Sequence, residues 1–214
     1  MGRLLSALDE AGLTSNTLVI FTSDNGFYLG AHATGDKRSA YEESLRVPLL
    51  VRYPAPGPGA RGRVFDDMVL NLDHAPTMLD FAGIAVPMEM QGQSLRPLLT
   101  DQPTAWRQSW FYEYFTEDQK GTNIPDITAV RTTGAKLIKY VGFSQWNELF
   151  DLTADPYETK NLFHDPAAAA LRDKLLAEHD RLARETGFHV PASVSRPANW
   201  GQPGSLAGDL GKPD

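Results

Sequence analysis

Residues 17–54, TLVIFTSDNGFYLGAHATGDKRSAYEESLRVPLLVRYP, place two apolar runs on either side of a long polar segment. The first run, TLVIFT, is continuous and rich in β-branched residues. That is the pattern of a strand covered on both faces in a parallel or mixed sheet. VPLLVRYP, at 47–54, predicts a second such strand, and the Pro and Gly of 54–62 predict an exposed loop. Upstream, Leu4, Leu5, Leu8 and Leu13 recur at helical spacing, with Gly12 where a helix would stop, so a helix is expected to about Ala11. Downstream, DMVLNL predicts a third short strand, Asp73 a helix N-cap, and APTMLDFAGI a helix ending near Gly83. Helices between strands argue for an α/β layer.

The pattern changes after about Pro103. SWFYEYF, ITAVRTTG and AKLIKYVG are aromatic or β-branched runs separated by turn residues, and the last two suit a hairpin around Thr133 and Gly134. They predict a small antiparallel sheet. The Asp-Pro of NELFDLTADPYETKNL signals a turn. DPAAAALRDKLLAEHDRLARETG then reads as a helix, with Pro near its start, Leu171, Leu175, Leu176 and Leu182 on one side, and Gly187 at its end. The expected fold class is therefore α/β: part of a mixed-sheet α/β sandwich over 1–103, then a small antiparallel α+β subdomain with a terminal helix over 104–190. Residues 191–214, rich in Pro, Gly and Ser, are expected to form a flexible tail.

Composition narrows the function classes. The chain has 214 residues, 42% of them hydrophobic, and a formal charge of −7 with no long basic run, so an electrostatic grip on nucleic acid is not expected. No apolar stretch approaches the roughly 20 residues of a membrane-spanning helix, and the amino terminus does not read as a secretory signal. The absence of Cys removes thiolate catalysis and Cys-based zinc sites and leaves the compartment open.

The polar segment holds the candidate chemistry. SDNG alone is a turn signal, but Asp24 and Asn25 sit at the carboxyl end of the first core strand, where open α/β sheets gather ligands. A carboxylate beside an amide carbonyl offers hard oxygen donors suited to Ca²⁺ or Mg²⁺. Two ligands are not a site, because calcium takes about 6–8 oxygens. Lys37 reads as a solvated loop lysine or as a point charge for sulfate or phosphate. His32 reads as a structural or exposed histidine, or as a donor to an oxyanion or leaving group. Glu42, Glu43 and Arg46 read as a structural set, because adjacent glutamates do not point at one substrate atom. Trp110, Tyr112, Tyr114 and Trp146 read as packing residues, with sugar stacking as the alternative.

Taken together, these pieces resemble the type I sulfatases of the alkaline phosphatase superfamily. The family pattern is an apolar strand, S-D-N-G, G-x-H, a lysine and Y-E-E-x-x-R-V-P, found here at Ser23–Gly26, Gly30–His32, Lys37 and Tyr41–Pro48. NLDHAPTMLDFAGI, MQGQSLRPLL, AVRTTGAKLIKY and NELFDLTADPYETKNL continue the similarity in the same order, so it covers most of 1–187. The resemblance implies that Asp24 and Asn25 are ligands of a Ca²⁺ ion. It implies that Lys37 binds the sulfate group and steadies the nucleophile, and, more weakly, that His32 contacts substrate.

The family's nucleophile is a formylglycine made from Cys or Ser in C-x-P-S-R or a close variant. This sequence has no Cys and no Ser-x-Pro-x-Arg, and it lacks the family's early paired aspartates and the His and Lys of its middle part. The resemblance is therefore to a carboxyl-terminal portion, and no sulfatase activity and weak calcium binding at most are expected of the chain alone. A small-molecule or saccharide sulfate ester is the expected substrate. Competing readings are a phosphate or phosphonate ester hydrolase of the same superfamily, and a non-catalytic remnant acting as a binding module. An uncovered edge of the first sheet would give copies a route to self-association.

Overall fold

A computed structural model of the protein describes residues 1–33, 35–53, 62–102, 104–115 and 125–191. All but Gly62 of the expected loop over 54–62, the boundary residue Pro103, and all but Pro191 of the expected tail over 191–214 lie outside the described residues. In chain order the elements are α1 (Gly2–Glu10), β1 (Val19–Thr22), α2 (Glu42–Leu45), β2 (Leu49–Arg52), α3 (His74–Phe81), α4 (Arg96–Leu99), β3 (Ser109–Tyr114), β4 (Ile127–Thr132), β5 (Ala135–Tyr140), β6 (Glu148–Asp151) and α5 (Ala169–Glu185). This is a mixed α/β fold with antiparallel sheets and a terminal helix. No helix among the described residues is long and apolar enough to cross a membrane. The chain forms two compact units, one of residues 1–26 and 46–108, the other of residues 27–45 and 109 onward.

In the first unit, β1 and β2 pair with each other antiparallel, Val19 opposite Arg52 and Thr22 opposite Leu49. The expectation of strands covered on both faces is not met: Phe21 is 44% exposed and its cross-strand partner Leu50 is 63% exposed. A continuous apolar run shows that a strand can be buried and says nothing of what buries it. The expected third strand in DMVLNL does not form, and two of its backbone groups are taken by side chains instead. Trp106 Nε1 and Arg107 Nη1 donate to the Met68 carbonyl, at 2.8 and 2.9 Å, and the Leu70 N–H donates to Asp73 Oδ2 at 2.7 Å.

Asp73 precedes α3 as expected but does not cap it with its side chain. Its fully buried carboxylate takes the Leu70 and Gln93 N–H groups and a two-pronged ion pair from Arg107, with both N–O distances 2.6 Å. Such a fork satisfies the lone pairs that burial would otherwise leave bare. Thr77, buried in α3, donates to the Asp73 carbonyl and accepts the Leu95 N–H, which ties α3 to the start of α4.

The second unit is a four-stranded antiparallel sheet in the order β3-β4-β5-β6. Its two-residue turn, Thr133-Gly134, falls where the sequence predicts it. Strand alternation sends Val130, Ala135, Leu137 and Leu149 to one face, where Leu175, Leu171, Leu176 and Leu182 of α5 cover them. The opposite face carries Ile127, Ala129, Ile138 and Phe150 and is covered by Ala40, Tyr41 and Leu45. The polar segment of the sequence is thus the second layer over this sheet. Asp165 accepts the Ala167 N–H ahead of α5, and the helix ends with Gly187 at φ +66, where the Phe188 N–H reaches the Ala183 carbonyl. That left-handed turn is the reason a glycine follows the helix.

Candidate functional site

Asp24 and Asn25 stand just past the carboxyl end of β1, in the first unit. Asp24 is exposed, and its Oδ1 accepts the Asn25 N–H at 2.9 Å. Asn71 Nδ2 holds the Asp24 carbonyl at 3.0 Å. The Asn25 amide nitrogen donates to the Gly26 carbonyl at 2.8 Å, which turns its oxygen to the other side of the group. A carboxylate and an amide oxygen are hard donors that fit a calcium ion in kind, and they could hold it by two of the roughly 6–8 oxygens it takes.

His32 and Lys37 belong to the second unit, on the segment that covers the sheet. This segment is closed on itself: the Tyr28 N–H donates to the Asp36 carbonyl at 3.0 Å, and the Ala31 N–H to the Tyr28 carbonyl at 2.8 Å. Between these bonds Leu29, His32 and Ala33 take positive φ, a conformation that non-glycine residues adopt only when their surroundings impose it. The His32 ring stacks on Tyr41, with centroids 3.9 Å apart and planes within 5°, and its Nε2 lies 3.2 Å from Glu43 Oε2. The functional and structural readings of His32 therefore meet in one residue that is mostly enclosed.

Lys37 is exposed, while its backbone is fixed on both sides. Its N–H donates to Asp36 Oδ1 at 2.5 Å, and its carbonyl accepts from the hydroxyl of buried Ser44, in α2. Asp36 is also forked by Arg38, whose guanidinium holds the Asp36 carboxyl well below the usual range, at about 2. That pairing compensates the carboxylate next to Lys37.

Beneath the segment lies a polar layer that sequence reasoning missed. The Tyr41 hydroxyl donates to the Glu148 carboxylate, at 2.9 and 3.0 Å, and the Tyr140 hydroxyl donates to Glu148 Oε2 at 2.9 Å. Burial pushes the Glu148 carboxyl up, and these two donors oppose the shift. Lys136 Nζ, wholly enclosed, lies 2.7 Å from a carboxylate oxygen of Glu42 and 2.7 Å from one of Glu158. Glu42 and Glu43 point to different partners, so they do not act as a pair. Tyr112 and Tyr114 pack against the same core, and Trp146 stacks on Phe143 at 4.4 Å, which supports their reading as packing residues. No local signal marked the polar layer: Lys136 and Lys139 both lie in AKLIKY, and nothing in that pattern tells the enclosed lysine from the partly exposed one.

Asp24 and Asn25 offer hard oxygen donors in the first unit, and Lys37 a cation on a fixed backbone in the second. The chain belongs to the sulfatase family of the alkaline phosphatase superfamily and corresponds to its carboxyl-terminal region: residues 30–185 match the model for the N-sulphoglucosamine sulphohydrolase carboxyl-terminal region. It is 39% identical over 180 residues to an N-acetylglucosamine-6-O-sulfatase of Bacteroides thetaiotaomicron, covering 82% of this chain and 32% of the relative. It resembles a solved structure bound to its substrate D-glucosamine-2-N,6-O-disulfate, with TM-score 0.77, 35% identity, and coverage of 87% of this chain and 38% of that one. It also resembles the phosphonate monoester hydrolase of Agrobacterium radiobacter, with TM-score 0.76, 28% identity, and coverage of 92% and 42%. The chain thus spans about a third of the length of the curated relative it matches.

Proposed function

We propose that this chain is the carboxyl-terminal part of a calcium-dependent sulfatase that hydrolyses a sulfate ester. Asp24 and Asn25 supply two oxygens to the calcium ion, completed by residues outside this chain. The Lys37 ammonium binds the sulfate oxygens and offsets the charge that grows as the S–O bond breaks. His32, with Nε2 held by Glu43, has Nδ1 as the ring nitrogen for a substrate contact, a weaker part of this reading. The observation that supports this reading best is the treatment of Lys37: its backbone is fixed by Asp36 and by buried Ser44 while the residue itself stays exposed.

The nucleophile of this reading is a formylglycine, and no residue here can become one within C-x-P-S-R, so the chain alone is inactive. A phosphonate or phosphate ester is the second reading, favoured by the fold likeness to the phosphonate monoester hydrolase. The test is to express the full-length gene product and assay an aryl sulfate, a sulfated glucosamine and a phosphonate monoester. Turnover of the sulfates, lowered roughly 10²–10³-fold by Lys37→Ala, is expected. Turnover of the phosphonate alone selects the second reading, and near-normal kinetics in Lys37→Ala overturn the role of Lys37.

A further inference from the structure

Three stretches far apart in the sequence meet at one buried ionic cluster. Glu42 comes from YEES, Lys136 from AKLIKY and Glu158 from DPYETKNL. Lys136 Nζ is 2.7 Å from Glu42 Oε1 and 2.7 Å from Glu158 Oε1, and the Lys136 and Glu158 side chains are fully enclosed. The second oxygen of Glu158 accepts the backbone N–H of Glu42, the first residue of α2, at 2.7 Å. Arg131 reaches both oxygens of Glu42, at 3.2 and 3.3 Å. Two carboxylates therefore face two cations. His32 Nε2 and oxygens of Glu43 and Glu158 also lie within 4.8 Å of one another, but Lys136 already answers the charge of Glu158, so no cation is needed there.

Glu158 is delivered at a strained backbone, φ +54, by a turn whose Asp155 carboxylate takes the Thr159 and Lys160 N–H groups. Strain, two enclosed charges and a direct bond to the backbone of α2 form an expensive way to join a loop to a sheet. Apolar side chains of similar volume would hold the layers together at least as well. What they would not provide is a fixed register. Glu158 fixes the Glu42 N–H, and Ser44, two residues on, fixes the Lys37 carbonyl.

We propose that Glu42, Lys136 and Glu158 are positioning residues, a latch that sets the register of α2 on the sheet and through Ser44 the backbone of Lys37. The catalytic side of this proposal rests on the reading of Lys37 as the oxyanion contact. The latch itself does not.

The test uses the full-length gene product with Lys136→Met, and with Glu158→Gln, which keeps the shape and an acceptor for the Glu42 N–H and so remains informative if Lys136→Met fails to fold. Hydrogen exchange is read over 36–45 and over β4–β6. Exchange about tenfold faster over 36–45 with unchanged β4–β6 rates is expected, together with a fall of about tenfold in kcat for an aryl sulfate at a small change in KM. The latch is overturned if both segments loosen together, as a merely structural role predicts, or if neither does. If exchange behaves as expected and Lys37→Ala retains full turnover, the latch stands and the oxyanion reading of Lys37 fails. If Lys37→Ala is impaired and the latch variants turn over normally, the positioning role fails and the oxyanion reading stands.

Discussion

Gly92 shows how one residue can carry a constraint that composition hides. A Cβ built on it would lie 1.9 Å from the Leu72 carbonyl oxygen and 2.5 Å from the carbonyl carbon. Both are backbone atoms, so no side-chain rotation relieves the clash. The neighbouring Gln93 N–H is one of the donors to buried Asp73, so a displaced backbone here also loosens the acceptor that Arg107 forks. Gly92→Ala is expected to destabilise the first unit by about 1–3 kcal/mol, seen as a lower urea midpoint. An unchanged midpoint would mean that the two segments separate freely. In the sequence Gly92 was visible only as part of MQGQSLRPLL, and Asp73 only as a helix cap. Their real partners, Leu72 and Arg107, are set by tertiary approach, which no local pattern encodes.

The elements of the second unit divide by how local their signals are. Its hairpin and α5 were legible because a two-residue Thr-Gly turn, an Asp-Pro start and a terminal Gly act within a few residues. The layer over the other sheet face was not, because Arg131, Lys136 and Glu148 sit at alternating positions that read as solvent-facing, yet meet Glu42, Glu158 and Tyr41. On the α5 side, His179 is 5% exposed, with Nε2 2.9 Å from Thr128 Oγ1, Nδ1 3.1 Å from Asp180, and Phe111 against the ring. Burial lowers its pKa, Asp180 opposes the shift, and Lys139 adds to it. A depressed histidine contributes stability above its unfolded pKa of about 6.5 and loses it as pH falls through the folded value. Asp36 and Glu178, both held at about 2 chiefly by hydrogen bonds from Arg38 and Arg181, lose theirs later, from about 4 downward. Glu148 and Glu158 are raised by burial and act in the opposite sense, regaining stability as they take up protons. His179 therefore contributes a fall in melting temperature that begins just below pH 6.5, against the gain from Glu148 and Glu158, and His179→Gln should remove that early part while sparing the later one. A variant profile parallel to the wild type down to pH 5 would assign the early fall to another group.

For the molecule as a whole, the order of motifs in the sequence identified the family, while the way strands pair and the company they keep stayed hidden. β1 and β2 read as core strands, and as a two-stranded pair they leave Phe21 and Leu50 side by side, 44% and 63% exposed. An isolated pair of strands is marginal in water, and two adjacent large apolar side chains on one face invite another surface to cover them. When the 214-residue chain is expressed alone, we expect copies to meet through this face, so that sedimentation reports species heavier than the 23.6 kDa chain. The double variant Phe21→Lys and Leu50→Glu places opposite charges at a cross-strand pair, which preserves the pairing while removing the apolar surface. It should sediment as a monomer with its circular dichroism unchanged. If the variant associates as strongly as the wild type, the surface that joins the copies lies elsewhere, and the exposed edge of a strand, which the substitutions leave intact, becomes the next place to look.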